Sequence, residues 1–142
     1  MNVCADSSFL SSLYIQDSHL QAARKRLLQK PQVFMTPLNR AELAHSLYFQ
    51  VFRQRIRMVE AQLAWEAFES DCSNGIWRKV PLPLETWNLA ANLAAKHGPA
   101  LGIRTLDSLH VACALELRAD KFWTFDERQA KLAETVGLDT TA

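Results

Sequence analysis

Three short apolar runs constrain the fold of this chain more than any other feature. They are Asn2-Val3-Cys4-Ala5, Val33-Phe34-Met35 and Phe122-Trp123-Thr124-Phe125. Each is too short to be a buried helix and is bounded by polar or turn-forming residues, so each reads as a buried strand. Helical patterns fill the intervals. Asp6-Ser7-Ser8 opens a short helix over 7–14, and Asp17 caps a second that carries Leu20, Ala23, Leu27 and Leu28 up to Pro31. Thr36-Pro37 opens a third, because proline suits the first helical position. It carries Leu38, Glu42, Leu43, Leu47 and Val51, and Arg53, Arg55 and Arg57 break it.

A fourth helix over 58–68 stops at Asn74-Gly75, and residues 77–82 form a further strand. The helix over 84–96 stops at His97-Gly98-Pro99, and Thr105 caps another that runs to Leu117. Asp126 and Gln129 form an Asp-x-x-Gln variant of the capping box that opens a last helix to about Val136. Leu138 to Thr140 reads as an edge strand. Short strands alternating with helices predict an α/β domain with a parallel sheet. An all-helical fold is the structural competitor.

The chain has 142 residues, the size of one ordinary domain, so residues 1–142 are expected to form a single unit. Sixteen Lys and Arg stand against fifteen Asp and Glu, a net charge of +1. That excludes a strongly basic nucleic-acid arm and an acidic disordered tail. It does not exclude a nuclease, in which an acidic pocket cancels a basic rim. Cys4, Cys72 and Cys113 are far apart and odd in number, with no leader pattern before them, so reduced thiols in a cytoplasm are expected. No apolar stretch is long enough to cross a membrane.

In parallel α/β sheets the ligand site lies beyond the carboxyl ends of the strands. Asp6 follows the first strand and Asp126 the aromatic one. Glu42 lies about one and a half turns into the helix after the second strand. Asp107 falls in the first turn after Thr105. Each has a structural use: Asp6 and Asp126 as helix caps worth about 1 kcal/mol each, Asp107 at a helix dipole, Glu42 on a solvated face. Together they predict four carboxylates on one rim. Such a cluster repels itself and calls for a cation or raised pKa values. Oxygen ligands alone favour a hard divalent ion, Mg²⁺ or Mn²⁺, and the matching chemistry is metal-assisted phosphodiester hydrolysis.

Asp6-Ser7-Ser8, Glu42 within Thr36-Pro37-Leu38-Asn39-Arg40-Ala41-Glu42-Leu43, Asp107 within Thr105-Leu106-Asp107-Ser108-Leu109-His110, and Trp123-Thr124-Phe125-Asp126 occur in this order along nearly the whole chain. At these residues the sequence resembles the PIN-domain ribonucleases, and among them the VapC toxins of bacterial toxin–antitoxin pairs. The resemblance implies a three-layer α/β/α sandwich with a central parallel sheet. It implies a Mg²⁺-dependent endoribonuclease, with Mn²⁺ as a substitute, acting on RNA. Asp6 and Asp126 would be the direct metal ligands, with Glu42 and Asp107 completing the set. A homodimer and a small inhibitory antitoxin are implied as well. An RNA-processing nuclease without an antitoxin, and an inactive PIN-like interaction module, are the alternatives.

Ser8 and Thr124 stand beside two of the acids and are expected to hold a carboxylate or a water in place. Arg40 and Arg104 are expected to meet phosphate, because they are close in sequence to Glu42 and Asp107. His45 and His110 are expected to be buried or partly buried helix residues. Trp65, Trp77 and Trp87 are expected to pack rather than to stack on bases. The stretch 40–68 carries Tyr48, Phe49, Phe52, Trp65 and Phe68, more large apolar groups than one helical stripe needs, which fits an interface and ordinary core packing equally. It resembles the face that receives the antitoxin in the family.

Overall fold

The computed structural model describes all residues from Met1 to Ala142. Its elements are β1 (Asn2–Ala5), α1 (Ser7–Ile15), α2 (Leu20–Leu27), β2 (Gln32–Met35), α3 (Pro37–Phe52), α4 (Met58–Ser73), β3 (Arg78–Lys79), α5 (Thr86–Leu101), α6 (Thr105–Glu116), β4 (Lys121–Trp123) and α7 (Glu127–Thr135). The four strands form one parallel sheet in the order β3-β2-β1-β4. Val3 sits between Val33 and Lys121, so the first strand is central.

The alternation of side chains along the strands separates two cores. Val3, Ala5, Val33, Met35 and Trp123 face one side, where Phe9 and Leu10 of α1, Leu43 and Leu47 of α3 and Phe68 of α4 cover them. Cys4, Phe34 and Phe122 face the other, beneath Leu93 of α5, Leu109 and Val111 of α6 and Leu132 of α7. Strands apolar on both faces are what a sheet covered by helices on both sides requires. The result is the expected α/β/α sandwich. From β1 the chain builds outward through β2 and β3, then returns to place β4 on the opposite side of β1. The reversal creates a crevice beyond the carboxyl ends of β1 and β4, the place where such sheets bind ligands.

Several local expectations are corrected. The helix expected to stop at His97 runs on through Gly98 and Pro99 to Leu101, and Gly102 closes it at φ 62° with its N–H on the Gly98 carbonyl. Pro99 lies in the last turn and is exposed, and the bond it cannot donate would have gone to Ala95, which is exposed as well. The strand expected over 77–82 shrinks to Arg78–Lys79, because Pro81 and Pro83 cannot extend a ladder. The expected edge strand at 138–140 is a single bridge from Asp139 to Lys121. Asp17 does not cap α2. It accepts from the His19 N–H in the turn before, and His19 holds the cap position without a side-chain bond.

Candidate active site

Asp6 takes the cap position of α1, directly after β1. Its Oδ1 accepts from the Phe9 N–H (3.1 Å) and the Ser8 hydroxyl (2.6 Å), and its Oδ2 from the Thr124 hydroxyl (2.6 Å). The residue is only 4% exposed. Burial pushes its carboxyl above the ordinary carboxylate range, and the Ser8, Thr124 and Phe9 donors and the nearby His110 offset only part of that rise. Asp126 caps α7 just after β4, with Oδ1 on the Gln129 N–H at 3.0 Å. The expected capping box is only half formed there. The Asp126 N–H goes to Thr124 Oγ1 (2.9 Å), while the Gln129 side-chain amide turns to the Asp107 carbonyl (3.4 Å).

Asp107 is placed by a different cap from the one expected. Arg104, not Thr105, is the cap residue of α6, and Asp107 Oδ2 accepts its N–H at 2.9 Å. Glu42 reaches the crevice from α3. The capping box of Thr36 and Asn39 fixes the start of that helix, and Asn39 Nδ2 donates to the Ala5 carbonyl at 2.8 Å. The helix bearing Glu42 is thus tied to the residue just before Asp6. Glu42 Oε1 accepts from the Ser7 N–H (3.2 Å) and lies 2.9 Å from His110 Nε2. Burial would raise the Glu42 carboxyl, but the hydrogen bond and charge of His110 and the Ser7 donors outweigh it and hold the group below the ordinary range.

All four acids line one open cavity of about 570 Å³ at the carboxyl end of the sheet. Asp107 Oδ1, Asp126 Oδ2 and Glu42 Oε2 receive no hydrogen bond from the chain. No three carboxylate, histidine or cysteine groups are drawn together closely enough to form a ready-made metal cage. The cavity brings oxygen donors to one wall without closing them on a point. Ser8 and Thr124 both bond Asp6. Their hydroxyls hold both oxygens of Asp6, and Ser8 Oγ also accepts the Phe125 N–H at 2.9 Å.

Arg104 lines the same cavity with a largely exposed side chain. Arg40 does not. Its guanidinium lies 4.9 Å over the Trp65 ring, pairs with Glu69, and borders a different cavity beside Lys79 and Cys72. His110 is buried as expected, whereas His45 is exposed at the mouth of the acid cavity. Trp77 is in the core and donates to the Tyr14 hydroxyl. Trp65 tilts against Phe68, while Trp87 is 58% exposed.

Residues 3–135 match the model of the PIN domain family. The chain is a PIN domain. No curated protein matches it by sequence. Solved structures share its fold. VapC20 from Mycobacterium tuberculosis, a Sarcin-Ricin loop cleaving toxin, is 17% identical, with 98% of each chain covered and a TM-score of 0.68. VapBC2 from Rickettsia felis, bound to a DNA fragment from their promoter, is 12% identical over the full length of both chains, with a TM-score of 0.68. FitAcB from Neisseria gonorrhoeae is 14% identical over 99% of this chain and 96% of the other, with a TM-score of 0.69. At such identities the likeness is one of fold.

Three groups of this PIN domain that bear on the cavity escaped the sequence reading. The Ser7 N–H and His110 hold Glu42, and Gln129 forms part of the cavity wall. Asp107-x-x-His110 places the acid and the histidine on one helical face, a signal that pointed to this side of α6 but not to Glu42, 68 positions away.

Proposed function

We propose that this PIN domain is an endoribonuclease that works with Mg²⁺, or Mn²⁺ in its place, and is the toxin of a toxin–antitoxin pair. The observation that carries the reading is the meeting of Asp6, Glu42, Asp107 and Asp126, from four separate elements, on one cavity at the sheet reversal. The donor set fits a hard divalent cation: these four acids are carboxylates, three have an oxygen free of protein donors, and no thiol lines the cavity. Asp6 and Asp126 would be the direct ligands, with Asp107 and Glu42 completing the set. A bound ion of this kind lowers the pKa of a water and stabilises the leaving oxygen of a phosphodiester.

The chain's own residues supply position and charge. Ser8 and Thr124 fix the Asp6 carboxylate, and His110 fixes Glu42. Arg104 stands at the rim, where it can meet a substrate phosphate. The fold shared with the Sarcin-Ricin loop cleaving toxin supports a structured RNA loop as the substrate class. Exposed Tyr48, Phe49 and Phe52 support a small antitoxin partner. The reading includes a homodimer, which light scattering tests.

The deciding experiment incubates purified protein with hairpin RNA in Mg²⁺ and in EDTA. Cleavage is expected only with metal, and Asp6→Asn and Asp126→Asn should abolish it with an unchanged circular dichroism spectrum. Full activity in EDTA, or in both variants, overturns the assignment. A small reading frame beside the gene and a co-purifying product support the toxin role. Their absence leaves the nuclease standing alone.

A further inference from the structure

The acid cavity continues into a second groove of about 660 Å³, and the two share Ser7, Ser8, Ser46 and Asp126. Beyond the shared residues the groove is lined by Gln50 and Arg55, and by His19 and Phe125, whose N–H donates to the shared Ser8 hydroxyl at 2.9 Å. The His19 imidazole lies flat on the Phe125 ring, with centroids 4.4 Å apart and planes 6° from parallel. Phe125 does not stand alone. Phe9 stacks with it at 5.8 Å, and the Arg26 guanidinium lies 5.2 Å over its ring. His19 is exposed, and its side chain does not cap the helix it begins. The structure therefore presents an aromatic surface on a fixed base in a polar groove that adjoins the acid cavity.

We propose that this groove is a nucleotide subsite in which an unpaired base of the RNA strand stacks on His19 while an adjacent phosphate meets Arg55. The inference rests on the nuclease reading and names how that same site grips its substrate. The lining favours nucleic acid over an amphipathic helix, because only three of its twelve residues are hydrophobic and the others offer hydroxyls, an amide, a guanidinium and carboxylates. Arg55 is the only lysine or arginine in the lining, so the phosphate contact falls to it. Stacking on a ring requires a base free of its partner strand, which selects single-stranded RNA or a loop.

The test measures anisotropy of a labelled short single-stranded oligoribonucleotide in EDTA, on an Asp6→Asn background, so that binding is read without cleavage. His19→Ala is expected to weaken binding by about tenfold, the loss that removal of one base–ring stack produces. His19→Phe should restore it to within about twofold, since the flat ring returns. One abasic position in the oligonucleotide should weaken the parent to a similar degree and have no further effect on His19→Ala. Arg55→Gln should lower the salt slope of binding by about one. Unchanged affinity in His19→Ala, or no abasic position coupled to it, overturns the subsite. So does a His19→Ala variant that keeps RNA affinity and loses a co-purifying protein instead. Metal-independent or absent cleavage by wild type, with His19-dependent binding intact, would count against the nuclease reading alone.

Discussion

His110 Nε2 lies 2.9 Å from Glu42 Oε1, and this contact joins α6, which covers one face of the sheet, to α3, which covers the other. Both side chains are largely buried, at 5% and 15% exposed. The pair spans the crevice and sets the position of Glu42 relative to Asp107, three residues before His110 on the same helix.

The Glu42 carboxyl is held below its ordinary 4.5, so its ionised form stabilises the fold. That contribution is fully present above 4.5 and is lost as pH falls through the lower folded-state value. Glu42→Gln should lower stability by about 1.5 kcal/mol at neutral pH, a typical loss for a hydrogen bond to a charged group. Urea denaturation should show the difference from wild type closing well below pH 4.5. A difference independent of pH would contradict the ionic role.

Asp6 has the opposite sign. Its carboxyl is raised by burial above the ordinary 3.8, so the stability linked to its protonated form is fully present below 3.8 and is lost as pH rises through the folded-state value. Ionising the buried carboxyl is therefore a net cost to the fold. Asp6→Asn, which keeps an oxygen for the Phe9 N–H, should be at least as stable as wild type in EDTA. Its advantage should shrink on acidification. Mg²⁺ should raise the melting temperature of wild type and not of the variant, because only a ligand that binds the folded state stabilises it. Equal shifts in both proteins would remove Asp6 from the metal set.

Ser8 and Thr124 hold Asp6 down against burial. Thr124→Val removes one of those donors and also leaves the Asp126 N–H without its acceptor, at a cost of about 1–3 kcal/mol. With the donor gone, the Asp6 carboxyl rises further, and the acid limb of the pH–cleavage profile should move to higher pH. A profile that falls in height without moving would mean that Thr124 serves the fold alone.

The legibility of this site in the sequence divides along physical lines. Asp6 and Asp126 could be read because a strand end and a helix cap are local features, and each cap bond spans three residues. The Glu42–His110 contact spans 68 positions and is set by packing across the sheet, which no local pattern encodes. Arg40 shows why nearness in sequence misled. Successive residues of a helix turn by about 100°, so Arg40 and Glu42 point about 200° apart. Arg40 turns instead to Trp65 and Glu69. Arg104 and Asp107 are three apart, nearly one full turn, and share the cavity. The capping of α6 by Arg104 rather than Thr105 has the same character: the carboxylate at the third helical position bonds back to the cap N–H, so the acid and not the hydroxyl fixes the boundary.

The apolar surplus of the 40–68 region resolves into buried and exposed parts. Phe68 is fully buried and so unavailable to a partner, while Trp65 is half-buried and packs against it. Tyr48, Phe49 and Phe52 are exposed, Phe52 at 78%, and the Phe49 and Phe52 rings stack at 5.9 Å. With Ala44 and His45 they line an apolar dent, and His45 and Phe49 also border the acid cavity. A partner segment that covers this dent with apolar side chains can therefore set a cation among the carboxylates, satisfying their charge and excluding metal or substrate. Phe52 lies at the outer end of the patch and does not line the acid cavity. Phe52→Asp should weaken the complex with a co-purifying small partner by about 30-fold, as loss of an aromatic anchor does. Metal-dependent cleavage by the free protein should be unchanged. Calorimetric titration of the partner, run beside the hairpin cleavage assay, separates the two effects. A variant that binds the partner as wild type does would show that the inhibitor docks elsewhere.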